Sequence, residues 1–482
     1  MSSPCSGTTP RGSGIRRRWV VVALALSATA PFGCRAVPRA PVDPHALHYA
    51  WRQLDLRGAT EAVAAALPDR HSNLDSFDLN DGITLAEAEL TALALNPQLA
   101  RARAALGVAQ TQASTRHPWQ DPELEISGDR VLTSVSNPLT WEALLTVTLP
   151  ISGREGIRHA LEQAEFGEEE AAVIGAEWAL LTEIRRAWTH YTTEVARIEL
   201  LDAAITDLDR LVAAGEQFKA ARSLSIVEER LLLLGRARAI EERLRAVAKL
   251  ELHRLELIAH LGLHPDHPWR LEAELPVGLT HEHHHSQNDF ESLFAHPQLS
   301  ITLAAYEVAE RALALEAARR IPDVSIGLGA GREDGDSTLL FGLGLIPLPI
   351  WNQNVKALAI AESEREEART AIESRLRDLV GRRAIEHANY HAATERLAFL
   401  EAEVAPLADA QLEDARQLTA LGRLDLILLV EAAEEQRRVR LELLEAREAA
   451  IEAQINLDAL TAPCPDHPAL PSSPSPAEGG HR

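Results

Sequence analysis

The sequence predicts a mainly α-helical protein that is internally duplicated and carries a smaller β part suited to a membrane. Asn96-Pro97-Gln98-Leu99 returns 200 residues later as His296-Pro297-Gln298-Leu299, and Leu149-Pro150-Ile151 returns as Leu348-Pro349-Ile350. Ala, Leu, Glu and Arg dominate the composition and only 4% of the residues are aromatic, which is typical of long packed helices. The hydrophobic period also changes from helical to strand-like once in each copy. A repeat of this length excludes a solenoid, so each copy is expected to form one structural half.

The N-terminal segment, residues 1–33, has the pattern of a signal peptide. A basic stretch, Arg16–Arg18, precedes an apolar run, Trp19–Ala30, that is too short to cross a bilayer as a helix. Cys34 follows a glycine, so we expect a lipoprotein-like leader with acylation at Cys34. Cleavage near residues 28–30, which leaves Cys34 as a free thiol, is the alternative. Residues 34–81 are expected to form a loop-like N-terminal extension.

The first copy, residues 82–280, is predicted to open with a helix that Thr84 caps and that runs to Thr115 with an interruption at Asn96-Pro97. Alternation of apolar and polar residues then predicts a hairpin with strands at about 123–131 and 140–149. The proline-free segment 154–213 predicts a helix of roughly 90 Å, which needs a partner helix along its length. A break around 215–225 and a second long helix to about His260 complete the copy.

The second copy, residues 289–462, repeats this plan after a His-rich linker at 281–288. The pattern predicts a helix at 289–318, strands at about 323–331 and 337–346 with a turn at 331–336, a long helix to about Leu418, a turn at Gly422-Arg423 and a final helix to about Leu460. The tail, residues 463–482, is rich in Pro, Ser and Gly and is predicted to be disordered.

Each predicted hairpin has one face of Leu, Val, Ile and Phe and another of Gly, Thr, Ser and Glu. An open sheet cannot lie in hydrocarbon, because the unpaired backbone groups of its edges have no water to bind there. Either the sheet packs on a soluble core, or several chains pool their strands into a closed barrel. The small polar face is unsuited to a core and a water-filled lumen needs many strands, so a barrel built by three or more chains is favoured. Glu123, Glu125 and Glu142 are then expected to line the lumen.

The formal net charge of −23 argues against a nucleic-acid partner, because phosphate binding needs clustered Lys and Arg. The sequence contains no Gly-x-Ser-x-Gly elbow and no phosphate-binding loop. We therefore expect no enzymatic activity and no cofactor.

In this order and at this spacing, the two copies resemble the TolC family of outer-membrane efflux proteins over about residues 82–462. The repeated segments quoted above and the turn at 422–431 carry the resemblance. It implies a homotrimer in the outer membrane, with a twelve-strand barrel that takes four strands from each chain and a helical tunnel in the periplasm. It also implies a passive conduit that docks to a periplasmic adaptor (membrane fusion) protein and an inner-membrane pump of the resistance-nodulation-division type. The leader and the His-rich linker are most similar to the subgroup that serves cobalt–zinc–cadmium and copper–silver efflux pumps.

The resemblance also implies which residues form the periplasmic tip of the tunnel. The two acidic tip positions of the family fall on Leu428 and Glu431, and Glu228 occupies the corresponding turn of the first copy. Three copies of Glu431 around an axis form a negative ring that selects cations, whereas Leu428 implies a partly apolar constriction. Arg423 and Asp425, in the turn before them, are expected to contact the adaptor.

The linker contains a cluster of imidazoles, which are common ligands of zinc, copper and nickel ions. Its members are His281, His283, His284 and His285. Either the cluster collects metal, or it is a solvated linker that binds metal only as a purification tag does. Two other functions stay open, namely a periplasmic coiled-coil adaptor or scaffold without a pore, and a TolC-like channel that exports drugs, other small molecules or proteins.

Overall fold

The computed structural model describes residues 39–54, 82–115, 119–130, 139–220, 226–266, 271, 291–333, 336–343, 350, 352–421 and 426–461. The chain divides into two units, Met1–Gln53 and Leu54–Arg482. The described part of the first unit holds one helix, α1 (Pro44–Arg52). The Asp43 carboxylate caps this helix by accepting a hydrogen bond from the backbone N–H of His45 at 2.9 Å. The prediction of a loop is wrong here, because an Asp cap followed by a proline at the first helical position starts a helix.

The first copy opens with two helices, α2 (Leu85–Leu95) and α3 (Pro97–Ser114), as predicted. Thr84 and Glu87 form a reciprocal capping box at the start of α2. Asn96 separates the helices, and its side chain caps α3. The predicted interruption is therefore confirmed.

Two long helices follow in the first copy, α4 (Arg154–Ala220) and α5 (Ile226–Leu261). At 67 residues, α4 is about 100 Å long and continues past the predicted break at 215. Gly262 ends α5 with a φ of 76°, and a Cβ at this position would lie 2.2 Å from the Leu95 carbonyl oxygen. Only glycine fits the conformation and the close approach of the α5 terminus to α2.

The second copy repeats this plan with two differences from the prediction. Its first helix is broken into α6 (Glu291–Phe294) and α7 (Pro297–Ala318), because His296 and Pro297 start a new helix as Asn96 and Pro97 do. Its long helix comprises α8 (Val355–Phe399), a π-helical turn (Leu400–Val404) and α9 (Ala405–Ala420). Pro406 lies just beyond the π turn, and the missing N–H of a proline disrupts regular α-helical hydrogen bonding. The final helix, α10 (Leu426–Thr461), is 36 residues long, as α5 is, and begins 200 positions later in the chain.

Four antiparallel strands form one open sheet in the order β1 (Glu123–Arg130), β2 (Leu139–Leu149), β3 (Val324–Glu333) and β4 (Asp336–Leu343). β2 pairs with β3, so the central ladder joins the two copies. The turn between β3 and β4 is shorter than the predicted 331–336, because both strands extend into that segment. The sheet and the duplicated helices together confirm a mainly α-helical, internally duplicated fold with a smaller β part.

Separate hydrophobic clusters hold the long helices together. In the first copy, Ile184 and Trp188 of α4 pack with Leu257 and Leu261 of α5, and Leu99 of α3 joins the same cluster. The repeat counterpart of Leu99, Leu299, lies in an equivalent cluster of the second copy with Leu293 and Leu379. Within the described ranges, no helix is long and apolar enough to cross a membrane.

Candidate channel wall and helix tip

One face of the sheet is a continuous apolar surface. The register aligns Leu124, Leu145 and Leu328 in one row across three strands. A second row contains Ile126, Ala143, Ala330 and Leu339 across all four. Ile126 is 72% exposed and Leu328 is 57% exposed, so helices of the same chain do not cover them. An apolar face of this extent needs either lipid or another chain against it.

The opposite face carries glycines and polar residues in register. Glu123 aligns with Thr146 and Gly327, Glu125 with Leu144 and Gly329, and Ser127 with Glu142 and Gly331. All three glutamates that were predicted to line a lumen therefore lie on this face.

Leu144 is an apolar residue on the glycine-rich face, in the same row as Leu340 of β4. A Cβ on Gly327 would lie 3.0 Å from Leu144 Cδ1, and one on Gly329 would lie 3.1 Å from the same atom. The two glycines therefore leave room for the Leu144 side chain.

The starts of α5 and α10 meet at one end of the long helices, which we call the helix tip. Glu228 of α5 and Glu431 of α10 line a shared recess of about 170 Å³, together with Glu434, Arg238 and apolar side chains. Leu428 does not line this recess and is 49% exposed. The structure thus brings two of the three predicted constriction residues together and leaves the third on the surface.

An apolar cluster fixes the four helices at the tip. Leu232 of α5 packs with Leu412 of α9 and with Leu429 and Val430 of α10, while Leu211 of α4 packs against the cluster. The cluster holds the recess walls in place.

Two ion pairs link the helix pair of the first copy to that of the second near the tip. Arg416 Nη2 of α9 lies 3.0 Å from Asp207 Oδ2 of α4, and Arg437 of α10 pairs with Glu242 of α5. The Arg437 side chain is only 14% exposed. Sequence reasoning missed both pairs, because their partners are about 200 residues apart and no local spacing marks them.

Far from the helix tip, the cap residue of a short helix in each copy donates a hydrogen bond to a backbone carbonyl near the C-terminal end of a long helix. Asn96 Oδ1 accepts from the backbone N–H of Gln98 at 2.9 Å, and Nδ2 donates to the His260 carbonyl oxygen at 2.8 Å. In the second copy, His296 Nδ1 accepts from the N–H of Gln298 at 3.1 Å, so Nε2 carries the proton and donates to the Ala459 carbonyl oxygen, also at 3.1 Å.

Burial lowers the pKa of His296, because charging the ring there costs solvation. The repeated Asn/His-Pro-Gln-Leu segments, which the sequence offered only as marks of duplication, thus have the same structural function in both copies.

The remaining predicted site residues lie outside the described residues. They are Arg423, Asp425, the linker histidines His281, His283, His284 and His285, and Cys34. The leader, the linker and the tail lie outside them as well.

Comparison with known proteins bears on the fold. The family model for outer membrane efflux proteins matches residues 291–462, which is most of the second copy. The solved structure of the transmembrane channel CusC has a TM-score of 0.65 at 17% identity and covers 81% of this chain and 94% of its own. For the outer-membrane channel OprN the TM-score is 0.67 at 15% identity, with coverage of 79% and 90%. For the outer membrane protein VceC from Vibrio cholerae it is 0.64 at 18% identity, with coverage of 78% and 96%. No curated protein sequence matches the chain significantly.

These similarities identify the protomer as TolC-like in fold. The two helix pairs and the four-stranded sheet agree with the fold class predicted from the duplicated sequence.

Proposed function

We propose that the protein is the outer-membrane channel of a tripartite efflux system and acts as a passive trimeric conduit from the periplasm to the exterior. The observation that carries the proposal is the open sheet with an exposed apolar face on one side and a face of small and polar residues on the other. Neither face is satisfied within one protomer.

Closure by neighbouring copies satisfies both faces and both edges. β1 and β4 are the edges of the sheet, and an unpaired edge in hydrocarbon leaves backbone N–H and C=O groups without partners. If β4 of one chain pairs with β1 of the next, three chains close a ring of twelve strands. The apolar rows then face lipid, and Glu123, Glu125 and Glu142 face the lumen.

The helix tip is the proposed selective constriction. Three carboxylates and one guanidinium, Arg238, line the recess that holds Glu228 and Glu431, so acidic side chains outnumber basic ones there. In the proposed trimer, Glu228 and Glu431 of the three chains bring six carboxylates toward the threefold axis. A ring of carboxylates favours cations over anions. The exposed Leu428 is proposed to narrow the opening next to this ring, and Arg423 and Asp425 are proposed to contact the adaptor.

The proposed partners are a periplasmic adaptor protein and an inner-membrane pump of the resistance-nodulation-division type, which supplies the energy. A heavy-metal cation is the proposed cargo, supported by the acidic tip and by the linker histidines. The leader is proposed to direct export, and Cys34 is the proposed acylation site. A channel for drugs, other small molecules or proteins is the alternative, since similar tunnels can serve unrelated cargo.

The test has two steps. The full chain is expressed in a Gram-negative host, membranes are fractionated, and the detergent extract is analysed for size and for conductance in planar bilayers. We expect outer-membrane localisation, a particle of trimer size and stable cation-selective conductance. A soluble periplasmic monomer would reject the channel and favour an adaptor or scaffold.

The cargo is tested separately. A strain that lacks the gene is compared with its parent for tolerance to cobalt, zinc, cadmium, copper and silver, and to a panel of drugs. Loss of metal tolerance alone supports a heavy-metal exporter, whereas loss of drug tolerance alone contradicts it.

A further inference from the structure

The two copies meet at a cluster of one imidazole and two carboxylates, near the middle of α4 and in the C-terminal half of α10. His190 projects from α4, whereas Glu448 and Glu452 project from α10. His190 Nδ1 lies 2.9 Å from Glu448 Oε1, and Nε2 lies 3.2 Å from Glu452 Oε1. All three side chains are between 22% and 35% exposed, so the cluster is partly shielded but open to small ions.

We propose that His190, Glu448 and Glu452 bind a divalent first-row transition metal ion, with zinc as the reference ion, and that the ion crosslinks the two copies. One potential ligand atom from each of these residues lies within 4.8 Å of the other two. The ligand atoms of a four-coordinate zinc, each about 2.0–2.1 Å from the ion, are about 3.4 Å apart, so the three side chains must move closer together on binding. One carboxylate must also turn from its own ring nitrogen toward the nitrogen that holds the ion.

The spacing of the carboxylates suits this chemistry. Residues four apart on a helix lie on the same face, so Glu448 and Glu452 approach His190 together from α10.

The surroundings hold the imidazole in place. The ring of His253, on α5, stacks on the ring of His190 with centroids 5.3 Å apart, so it restricts rotation of the ligand. Arg186, one turn before His190, is the nearby positive charge, and it binds Glu183 at 2.6 Å and Asn456 at 2.9 Å. The two carboxylates that face the imidazole keep the site attractive to a cation.

An imidazole with one carboxylate on each nitrogen also has a simpler explanation, in which it holds a proton and links the helices by hydrogen bonds. That arrangement binds no metal, so the two explanations differ in a direct measurement. The proposed site contains none of the linker histidines, and its test does not depend on conductance through the channel.

The experiment uses the detergent-purified full chain, without an affinity tag, in which the four linker histidines are changed to alanine so that they cannot bind metal. The substitutions are His281→Ala, His283→Ala, His284→Ala and His285→Ala. Titration calorimetry with zinc chloride is expected to show one ion per chain, and addition of zinc is expected to raise the thermal midpoint.

Glu448→Gln and Glu452→Gln are the test variants, because glutamine keeps the shape and a hydrogen-bond acceptor but is a poor metal ligand. Each is expected to weaken zinc binding by at least about tenfold. Glu445→Gln is the matched control, since Glu445 lies on the same helix but pairs with Arg197 at 3.2 Å. It should leave binding unchanged.

Circular dichroism and trimer-sized migration check that each variant folds. As a second readout, cobalt is titrated in place of zinc, and its visible absorption should be lost in both test variants and kept in the control. The inference is overturned if the protein with the altered linker takes up no zinc, or if both glutamine variants bind zinc as tightly as their parent.

Discussion

Ile126 and Ser127 are neighbours on β1, so their side chains lie on opposite faces of the sheet. The proposed barrel places Ile126 against lipid and Ser127 in the lumen. Ile126→Lys therefore places a positive charge in lipid, whereas Ser127→Lys places the same charge in the water of the lumen. Their comparison tests the assignment of the two faces.

The structure sets the magnitude of the difference. Ile126 is 72% exposed in the protomer, so a lysine there removes little packing within the chain. In lipid near the bilayer midplane, a lysine on the outer face of a barrel costs about 2–4 kcal/mol. Three copies bring the cost to about 6–12 kcal/mol for a trimer, which is similar to the whole stability of an ordinary folded domain. A lysine in a water-filled lumen has no such cost.

The assay measures outer-membrane assembly, as the fraction of chain that migrates as a trimer without heating. Ile126→Lys is expected to reduce this fraction strongly, while circular dichroism of the purified chain keeps its helical signal. Ser127→Lys is expected to assemble like the parent and to shift the conductance toward anions. Equal assembly of the two variants, or failure of Ser127→Lys alone, would refute the assignment of the faces.

The remaining predictions concern the helices. His296→Asn should keep the helix cap, as Asn96 does, and flatten the pH dependence of the thermal midpoint. Because the pKa of His296 is lowered on folding, the stability that the neutral ring contributes is complete above about pH 6.5 and is lost as the pH falls below that value. If the thermal midpoint of the variant changes between about pH 5 and pH 7.5 as much as that of the parent, the assignment is contradicted. Glu242→Gln leaves Arg437 without its carboxylate partner. We therefore expect the free energy of unfolding to fall by about 1–3 kcal/mol and the conductance of the closed channel to rise. Glu241→Gln is the control for this variant, because Glu241 pairs with Arg245 on the same helix. It should change neither the stability nor the conductance. Glu431→Gln should lower the permeability ratio of cations to anions in bilayers, and an unchanged ratio would exclude this residue from the constriction.

The sequence predicted most of the architecture because the features that specify it are local. Thr84 and Asn96 are helix caps that a short pattern reveals, and the alternation from Glu123 onward marks the first strand. The repeat then predicted the second half from the first. The interruption of the first helix was predicted only at Asn96, in the first copy. His296 interrupts the corresponding helix of the second copy in the same way, but histidine is a weaker signal of a helix cap than asparagine.

Other features could not be predicted, because they depend on packing between distant segments. The π turn at Leu400–Val404 is an exception, because Pro406 is a local signal of a disturbed helix that the prediction of one long helix did not take into account. The pair of Arg437 with Glu242 joins residues 195 apart. The proximity of His190 to Glu448 likewise needs the register of α4 against α10, which no hydrophobic pattern determines.

The most direct test of the proposed channel is a density map of the full chain purified from outer membranes, at a resolution that separates β-strands. The account predicts a threefold particle in which twelve strands close into one barrel, with Ile126 on the outer surface and Glu125 on the inner. A particle in which the sheet stays open, or in which Ile126 faces the interior, would contradict it.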